Sequence, residues 1–377
     1  MDLIRPAITQ LEDSPIVEVW RMGRNRPDVI GLWAGESDLP TPAFICDAAA
    51  RALAAGHTFY TDNRGIPALR QALADYYRYA RDNDLYLTYV IINPQADRSK
   101  SAAQQNDAFL TAGVVDRDEH GITVRGVPLA SNQGGWLLDL EATLAACDAR
   151  TRLIYYASPG NPTGWIMERA EMERLLEFAR ARNVAIVADE VYQRLVYDRT
   201  VAPSLLEVAR PDDPAYVVNS FSKNWAMTGW RLGWIVYPAG QAPIFEKMVQ
   251  FNTSGGQAFL QEGAVVALRD GEEFVRGFVA RCRAGWQQIG DGLRRMPRVR
   301  LVPNSASFYV MFSIDGVSDT LQFCKRAVEQ AGVGLAPGMA FGGGADRHIR
   351  LCYARSPEQL DMALARLAPF IADYAEA

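Results

Sequence analysis

An α/β fold with a mainly parallel sheet is what the sequence predicts, and three stretches carry that prediction. Thr151–Ala157 (TRLIYYA) is a continuous apolar run, the kind buried on both faces of a parallel sheet. Glu168–Arg182 has the amphipathic spacing of a crossover helix. Val184–Val187 is a second short buried run. Strand, crossover helix and strand form the unit from which doubly wound sheets are built.

The bulk properties narrow the field. At 377 residues the chain can bury a large core and form two or three domains. Its 49% hydrophobic and 22% charged content is that of a soluble globular protein. A net charge of −5, with no basic run, argues against a nucleic-acid partner. No run of about 18 apolar residues exists, so no membrane span is expected. MDLIRPAITQLEDS lacks the apolar core of a signal peptide. The five cysteines are scattered and odd in number, which suits reduced thiols and a cytoplasmic location. The three histidines lie far apart, so neither a metal site nor a histidine-based triad is expected.

The chain reads in order as follows. Residues 3–23 are amphipathic through Ile4, Ile8, Leu11, Ile16, Val19 and Trp20. The apolar run Val29–Trp33 ends at Ala34-Gly35-Glu36, where Gly35 lets backbone approach a ligand closely. Residues 44–56 form a helix closed by Gly56. Tyr60 precedes a turn at Asp62–Gly65, and Ile66–Ala80 is again helical. Leu85–Ile92 is β-rich, Ala96–Asp107 is polar and loop-like, and Phe109–Val115 and Ile122–Val124 form a hairpin across the charged turn Asp116–Gly121. Leu137–Ala146 is helical. Beyond the strand–helix–strand unit, Phe245–Phe259 and Phe274–Arg295 are helices, the second a long connector into a small C-terminal domain. Residues 298–315 alternate as a strand, Leu321–Ala331 is a helix, and residues 347–356 are a further strand.

Four places carry chemistry. Lys223 sits on a tight turn at the end of the buried run Ala215–Asn219, and a desolvated lysine amine near other cations forms Schiff bases. Ser220, Ser222 and Arg231 are placed to hold a phosphate beside it, although a lone lysine there would ordinarily be a surface residue. SPGNPTG (158–164) is a rigid turn at the carboxyl end of a strand, where open α/β sheets bind ligands, and Asn161 is its polar side chain. Asp189 follows the run Val184–Val187. It is either the cap of the next helix or a buried carboxylate in need of a charged partner. Arg350 lies inside an apolar alternation. It pairs either with a structural acid or with a substrate carboxylate, which a guanidinium grips through two parallel bonds.

S-x-S-K followed by T-G-x-R-x-G, at 220–233, resembles the pyridoxal-phosphate lysine signature of the class I/II aminotransferases, which have fold type I. GESDLPTP (35–42), G-x-P-x-L-R (65–70), SPGNPTG and ADEVY (188–192) resemble further motifs of that family. The resemblance implies a large cofactor-binding domain at 45–270, and a small domain built from 1–44 and 271–377. It implies transamination between an α-amino acid and a 2-oxo acid, with pyridoxal phosphate as cofactor and a homodimer as the assembly. Lys223 would hold the cofactor and act as general acid and base. Asp189 would face the ring nitrogen, Asn161 and Tyr192 the 3′-oxygen, and Ser220, Ser222 and Arg231 the phosphate. Tyr60 would reach the cofactor phosphate of the partner subunit. Arg350 and the Gly35 N–H, with Asn161 beside them, would orient the substrate carboxylate. Glu190 would be structural.

Residues 82–126 depart from that pattern. LTYVIINPQADRSK (87–100) and FLTAGVVDRDEHGITVRG (109–126) resemble the middle β-domain of the flavin-dependent 4-hydroxyphenylacetate 3-hydroxylases. The arrangement is that of a graft inside an aminotransferase, too small a fragment for flavin chemistry. Two cofactor contacts are missing from this stretch: a helix start for the phosphate and an aromatic ring to stack on the pyridine. Tyr86, Tyr89 and Thr111 are the available neutral replacements, and weak cofactor binding with low or absent turnover is the expectation. Three other functions stay open: a β-lyase or decarboxylase of the same fold type, a non-catalytic chimeric remnant, and a flavin-binding protein.

Overall fold

The computed structural model describes residues 9, 13–81, 89–90, 111–118, 121–132, 134–342 and 344–376. Helix α1 (Pro15–Gly23) begins on proline, whose missing N–H costs nothing in a first turn. Strand β1 (Ile30–Gly31) leads through the 35–42 loop to α2 (Ala43–Ala54), which runs out at Gly56 with φ +82°. Helix α3 (Pro67–Arg81) follows. Next come β2 (Tyr89–Val90), β3 (Thr111–Asp118) and β4 (Gly121–Pro128), then the small hairpin β5 (Ala130–Asn132) and β6 (Gly135–Leu137).

Helix α4 (Leu140–Ala145) is capped by Asp139, whose side chain accepts from the Ala142 N–H. Strand β7 (Thr151–Ala157) coincides with the apolar run in the sequence. Helix α5 (Arg169–Arg182) opens on a reciprocal capping box between Glu168 and Glu171 and closes on Asn183 in the left-handed region. Strand β8 (Ala185–Asp189), strand β9 (Ala215–Ser220), the single-turn helix α6 (Phe221–Asn224) and strand β10 (Gly233–Val236) complete the sheet region.

The seven-stranded sheet has the order β2–β10–β9–β8–β7–β3–β4. Its centre, β7–β8–β9, is parallel, and the pairings outward from it leave β2 and β4 running with the centre and β10 and β3 against it. The expected mainly parallel α/β sheet is therefore present. The hairpin expected in the atypical segment is also there, with longer strands, and β3 is laid antiparallel onto β7.

Beyond the sheet lie α7 (Ala242–Asn252), α8 (Ala258–Asp270) and the long α9 (Glu272–Arg294). A four-stranded sheet, β11–β12–β15–β14, is built from β11 (Val299–Val302), β12 (Tyr309–Ile314), β14 (Ala336–Pro337) and β15 (His348–Cys352). Between these run α10 (Thr320–Arg326) and β13 (Val333–Gly334), the latter parallel to β1. Helix α11 (Pro357–Asp373) ends the chain's regular structure.

Three local expectations are corrected. The helix at 245–259 is two helices, because Ser254 and Gly255 both take positive φ and break it between α7 and α8. The strand at 298–315 is likewise two, split where Ser307 adopts φ +63°. Lys223 stands in a helical turn capped by Ser220 rather than in a tight hairpin turn, and Asp189 is the last residue of β8 rather than just past the strand's end.

Two main apolar cores hold the fold. One gathers the seven-stranded sheet with α2, α3, α5 and α8, and the other gathers α9, α10, α11 and the four-stranded sheet with β1. Beneath α6 the first core becomes an aromatic platform. Phe221 contacts Trp225 and Trp234 at centroid distances of 5.2 and 4.9 Å, and Trp234 Nε1 donates to Tyr77 Oη at 3.1 Å. Each such buried side chain contributes roughly 1.5–3 kcal/mol. The turn that carries Lys223 therefore rests on buried aromatic side chains of the first core.

Candidate active site

Strands β8 and β9 are parallel neighbours, so the segments leaving their carboxyl ends lie side by side: Asp189 at the end of β8, and Ser220 with α6 at the end of β9. The turn after β7 joins them and carries Asn161. This is the edge at which open α/β sheets place ligands.

Lys223 points its amine at the 35–42 loop, where Nζ donates to the carbonyl oxygen of Gly35 at 2.7 Å. It also lies 5.9 Å from the centre of the Tyr192 ring. Burial is the main reason its pKa falls to about 8, and the positive charges of Arg350 and Arg231 push in the same direction. An amine so placed is neutral in a far larger fraction of molecules near pH 7 than an ordinary lysine, as a nucleophile or base requires.

Asp189 is held by two donors: the Val191 N–H to Oδ1 at 3.1 Å and the Tyr155 hydroxyl to Oδ2 at 3.2 Å. The residue as a whole is half-buried, but its carboxylate end is enclosed, and burial raises its pKa while those two donors and the Lys223 charge oppose the rise. The tyrosine beside Lys223, Tyr192, is buried and shares a 2.7 Å hydrogen bond with the hydroxyl of Tyr309. Glu190 faces away from this group, accepting from Ser204 Oγ at 2.8 Å and from the Leu205 N–H at 2.9 Å.

Arg350, on β15, is 3% exposed. Its Nη1 donates to Asn161 Oδ1 at 3.1 Å and its Nη2 to the Trp33 carbonyl oxygen, while its plane lies against the rings of Tyr309 and Phe341 at 4.5 and 4.6 Å. Its Nε has no hydrogen-bond partner. Both acceptors are neutral, and no acidic side chain pairs with it among the described residues. A buried guanidinium in that state favours an incoming carboxylate. Of the two readings open for Arg350, the structural ion pair is not found among the described residues.

Ser220 Oγ and Ser222 Oγ lie 2.9 Å apart, and Ser220 Oγ also accepts from the Ser222 N–H at 3.1 Å. Arg231, in the left-handed region at φ +52°, turns Nη1 to the Thr228 carbonyl oxygen at 2.8 Å, and no ion pair engages it among the described residues. Two hydroxyls and a cation thus stand beside the lysine turn. Gly35 lies where a Cβ would come within 2.3 Å of Tyr309 Oη, so the group packed against it within the chain is a tyrosine hydroxyl.

Tyr60 is not part of this cluster. It is 91% exposed, next to Phe59 at 84%, and both border a 320 Å³ cavity with residues 253–257. A separate 570 Å³ cavity, bounded by Gly135, Trp136, Thr163, Glu168, Arg199 and Asn304, touches the end of the 158–164 turn but includes neither Lys223, Asp189, Asn161 nor Arg350. The missing phosphate helix and stacking aromatic are those expected within 82–126, of which residues 82–88, 91–110 and 119–120 lie outside the described residues, as does Tyr86. For Tyr89 and Thr111 only the backbone, in β2 and β3, is described.

Two participants escaped the sequence reading. Tyr155 is the third residue from the end of an apolar strand and is half-buried, and a phenol in such a strand implies a hydroxyl partner, which was the available signal. Tyr309 followed the Ala306-Ser307 turn without an evident role, because nothing local places it against Gly35 and Tyr192.

Comparison with known proteins agrees with this geometry. Residues 118–367, about two thirds of the chain, match the family described as "Aminotransferase class I and II". Residues 44–136 match "4-hydroxyphenylacetate 3-hydroxylase N terminal", a wider span than 82–126. The chain is 30% identical to the aspartate aminotransferase of Pyrococcus horikoshii, covering 97% of this chain and 96% of the relative. It is 32% identical to that of Thermotoga maritima, covering 91% and 92%. An aminotransferase structure from Mycobacterium tuberculosis superposes with a TM-score of 0.84 at 28% identity, covering 99% of this chain and all of the other. The Thermus thermophilus aspartate aminotransferase with maleate gives 0.80 at 29% identity, over 98% and 100%. With a lysine, an acid and a buried arginine gathered at the carboxyl edge of its sheet, the chain belongs to the class I and II aminotransferases, which are enzymes dependent on pyridoxal phosphate.

Proposed function

We propose that the Lys223 cluster is the catalytic centre of this aminotransferase and moves an amino group between an α-amino acid and a 2-oxo acid. The observation that carries the reading is the Lys223 amine: enclosed, held at the Gly35 carbonyl, and brought to a pKa of about 8 by burial. The residues fit the cofactor. Asp189 is an enclosed carboxylate suited to a positively charged ring N–H, and Arg350 retains an unpartnered Nε inside the protein. When bound, pyridoxal phosphate supplies a carbonyl for amines and a ring that withdraws electrons from the substrate α-carbon.

The protein's own groups do the rest. Lys223 Nζ would hold the cofactor at rest and, once free, would take and return the substrate α-proton. Asp189 would set negative charge against the ring nitrogen. Asn161 and Tyr192 would serve the 3′-oxygen. Ser220, Ser222 and Arg231 would receive the phosphate, with Tyr60 contributed across a dimer. Arg350, with Gly35 and Asn161 beside it, would orient the substrate carboxylate.

The same reading divides the chain into a large domain at 45–270 and a small one at 1–44 with 271–377. It makes the enzyme a homodimer, supported by the exposed apolar side chains of Phe59, Tyr60, Ile244, Met248 and Phe251. A cytoplasmic place in amino-acid biosynthesis is in keeping with five free cysteines. The relatives' names make aspartate the first donor to assay.

The test is a spectroscopic titration of the purified protein with pyridoxal phosphate, with Lys223→Ala alongside. A saturable visible band in the wild type that is absent from K223A is expected, at the weak affinity anticipated from the atypical 82–126 segment, followed by slow formation of a new amino acid on adding donor and 2-oxo acid. Pyruvate and ammonia as products would replace transamination by lyase chemistry. A wild type that never develops the band would end the proposal.

A further inference from the structure

The carboxylate of Asp189 sits at the end of β8, and the residue opposite it on β7 is Ala157. A methyl group cannot donate a hydrogen bond, so a side-chain donor from that strand must come from elsewhere on the same face. Side chains on one face recur every second residue, and two residues back is Tyr155. Its hydroxyl covers the distance, reaching Asp189 Oδ2 at 3.2 Å. On its other side Tyr155 is paired with Gly113 of β3, so the seam between β7 and the hairpin sets no side chain from that position beside the phenol.

We propose that Tyr155 is a positioning residue of this active site: its hydroxyl fixes the rotamer of Asp189 and holds that carboxylate in its charged form. The assignment rests on the reading of Asp189 as the partner of the cofactor ring. Among the described residues the carboxylate's other hydrogen bond is from the Val191 N–H to Oδ1, so Tyr155 is the side-chain donor on the second oxygen. A phenol beside a carboxylate can only donate, and burial keeps this one neutral at any working pH. Donation to the charged form favours that form. The titratable groups acting on Asp189 among the described residues are Tyr155 from β7, Lys223 from α6 and Tyr192 from the loop after β8. Lys223 changes its own charge near pH 8, so the acid side of the profile is where Tyr155 is read without that overlap.

The experiment compares wild type, Tyr155→Phe and Asp189→Asn. For each, the dissociation constant for pyridoxal phosphate is measured by absorbance from pH 4.5 to 8, with circular dichroism to establish the fold; this range is about that of a perturbed carboxyl group. Loss of the hydroxyl makes Asp189 easier to protonate, so the acid limb of cofactor affinity moves upward. Y155F is expected to move it by roughly one to two pH units and to bind about tenfold more weakly at its foot. Unchanged affinity and an unmoved limb in Y155F, with D189N weakened, would overturn the Tyr155 role and leave Asp189 in place. If D189N binds like wild type, the Asp189 reading falls and the inference falls with it. Since phenylalanine keeps the ring and its packing, a purely structural tyrosine would show no shift in the limb.

Discussion

Nζ of Lys223 and the carbonyl oxygen of Gly35 are 2.7 Å apart, although 188 residues separate them in the chain. This contact ties the lysine turn at the end of the large sheet to the loop that leaves β1. It holds the amine in the site and away from water, and the charge state of that amine follows.

The first prediction concerns that charge. The folded-state pKa of Lys223 is lowered to about 8 by burial. Between there and the ordinary lysine range the unfolded chain binds the extra proton, so stability rises with pH across that window. Below about pH 8 both states are protonated, and the burial penalty is present in full. Apo wild type should therefore gain stability relative to Lys223→Met as pH rises from about 8 to about 10.4. Urea denaturation at several pH values reads this. Parallel curves for the two proteins would mean that the amine is not perturbed.

Gly35 and Tyr309 form a second testable pair. A Cβ at Gly35 would lie 2.3 Å from Tyr309 Oη, closer than any tolerated contact. Gly35→Ala should cost about 1–3 kcal/mol of stability, the usual range for overpacking. Adding Tyr309→Phe removes the clashing oxygen and should restore part of that loss. A double variant no more stable than Gly35→Ala would place the strain elsewhere.

Arg350 separates substrate binding from cofactor binding. Lysine at this position keeps the charge but cannot form two parallel bonds to a carboxylate. Arg350→Lys should lower kcat/KM for the amino donor about ten- to a hundredfold, mostly through KM, with pyridoxal phosphate affinity unchanged. A fall in cofactor affinity of the same size would instead make Arg350 part of the cofactor site.

Phe251 tests the assembly. It is 88% exposed on α7, on the same helix as exposed Ile244 and Met248. Phe251→Asp should shift the sedimentation profile from dimer toward monomer and lower specific activity together with it, since Tyr60 is expected to act across the interface. Sedimentation unchanged by the substitution would move the interface away from this face.

What could be known from the sequence was what depends on neighbours in the chain. The apolar run at 151–157 and the capped helix after it have short-range causes: burial on both faces, periodicity and caps. The hairpin in the atypical segment was legible for the same reason, and so was the family, whose motifs are each only a few residues long. The two misplaced boundaries, at 253–257 and 303–308, fell where a serine adopts positive φ, which residue type does not announce. Only tertiary structure decided which groups meet. Tyr155 finds Asp189 through the register of β7 on β8, Tyr192 finds Tyr309 across 117 residues, and Arg350 finds Trp33 across 317. Alternation tells which face a side chain takes. The partner on that face is set by how strands and sheets stack, and that is a property of the packed core.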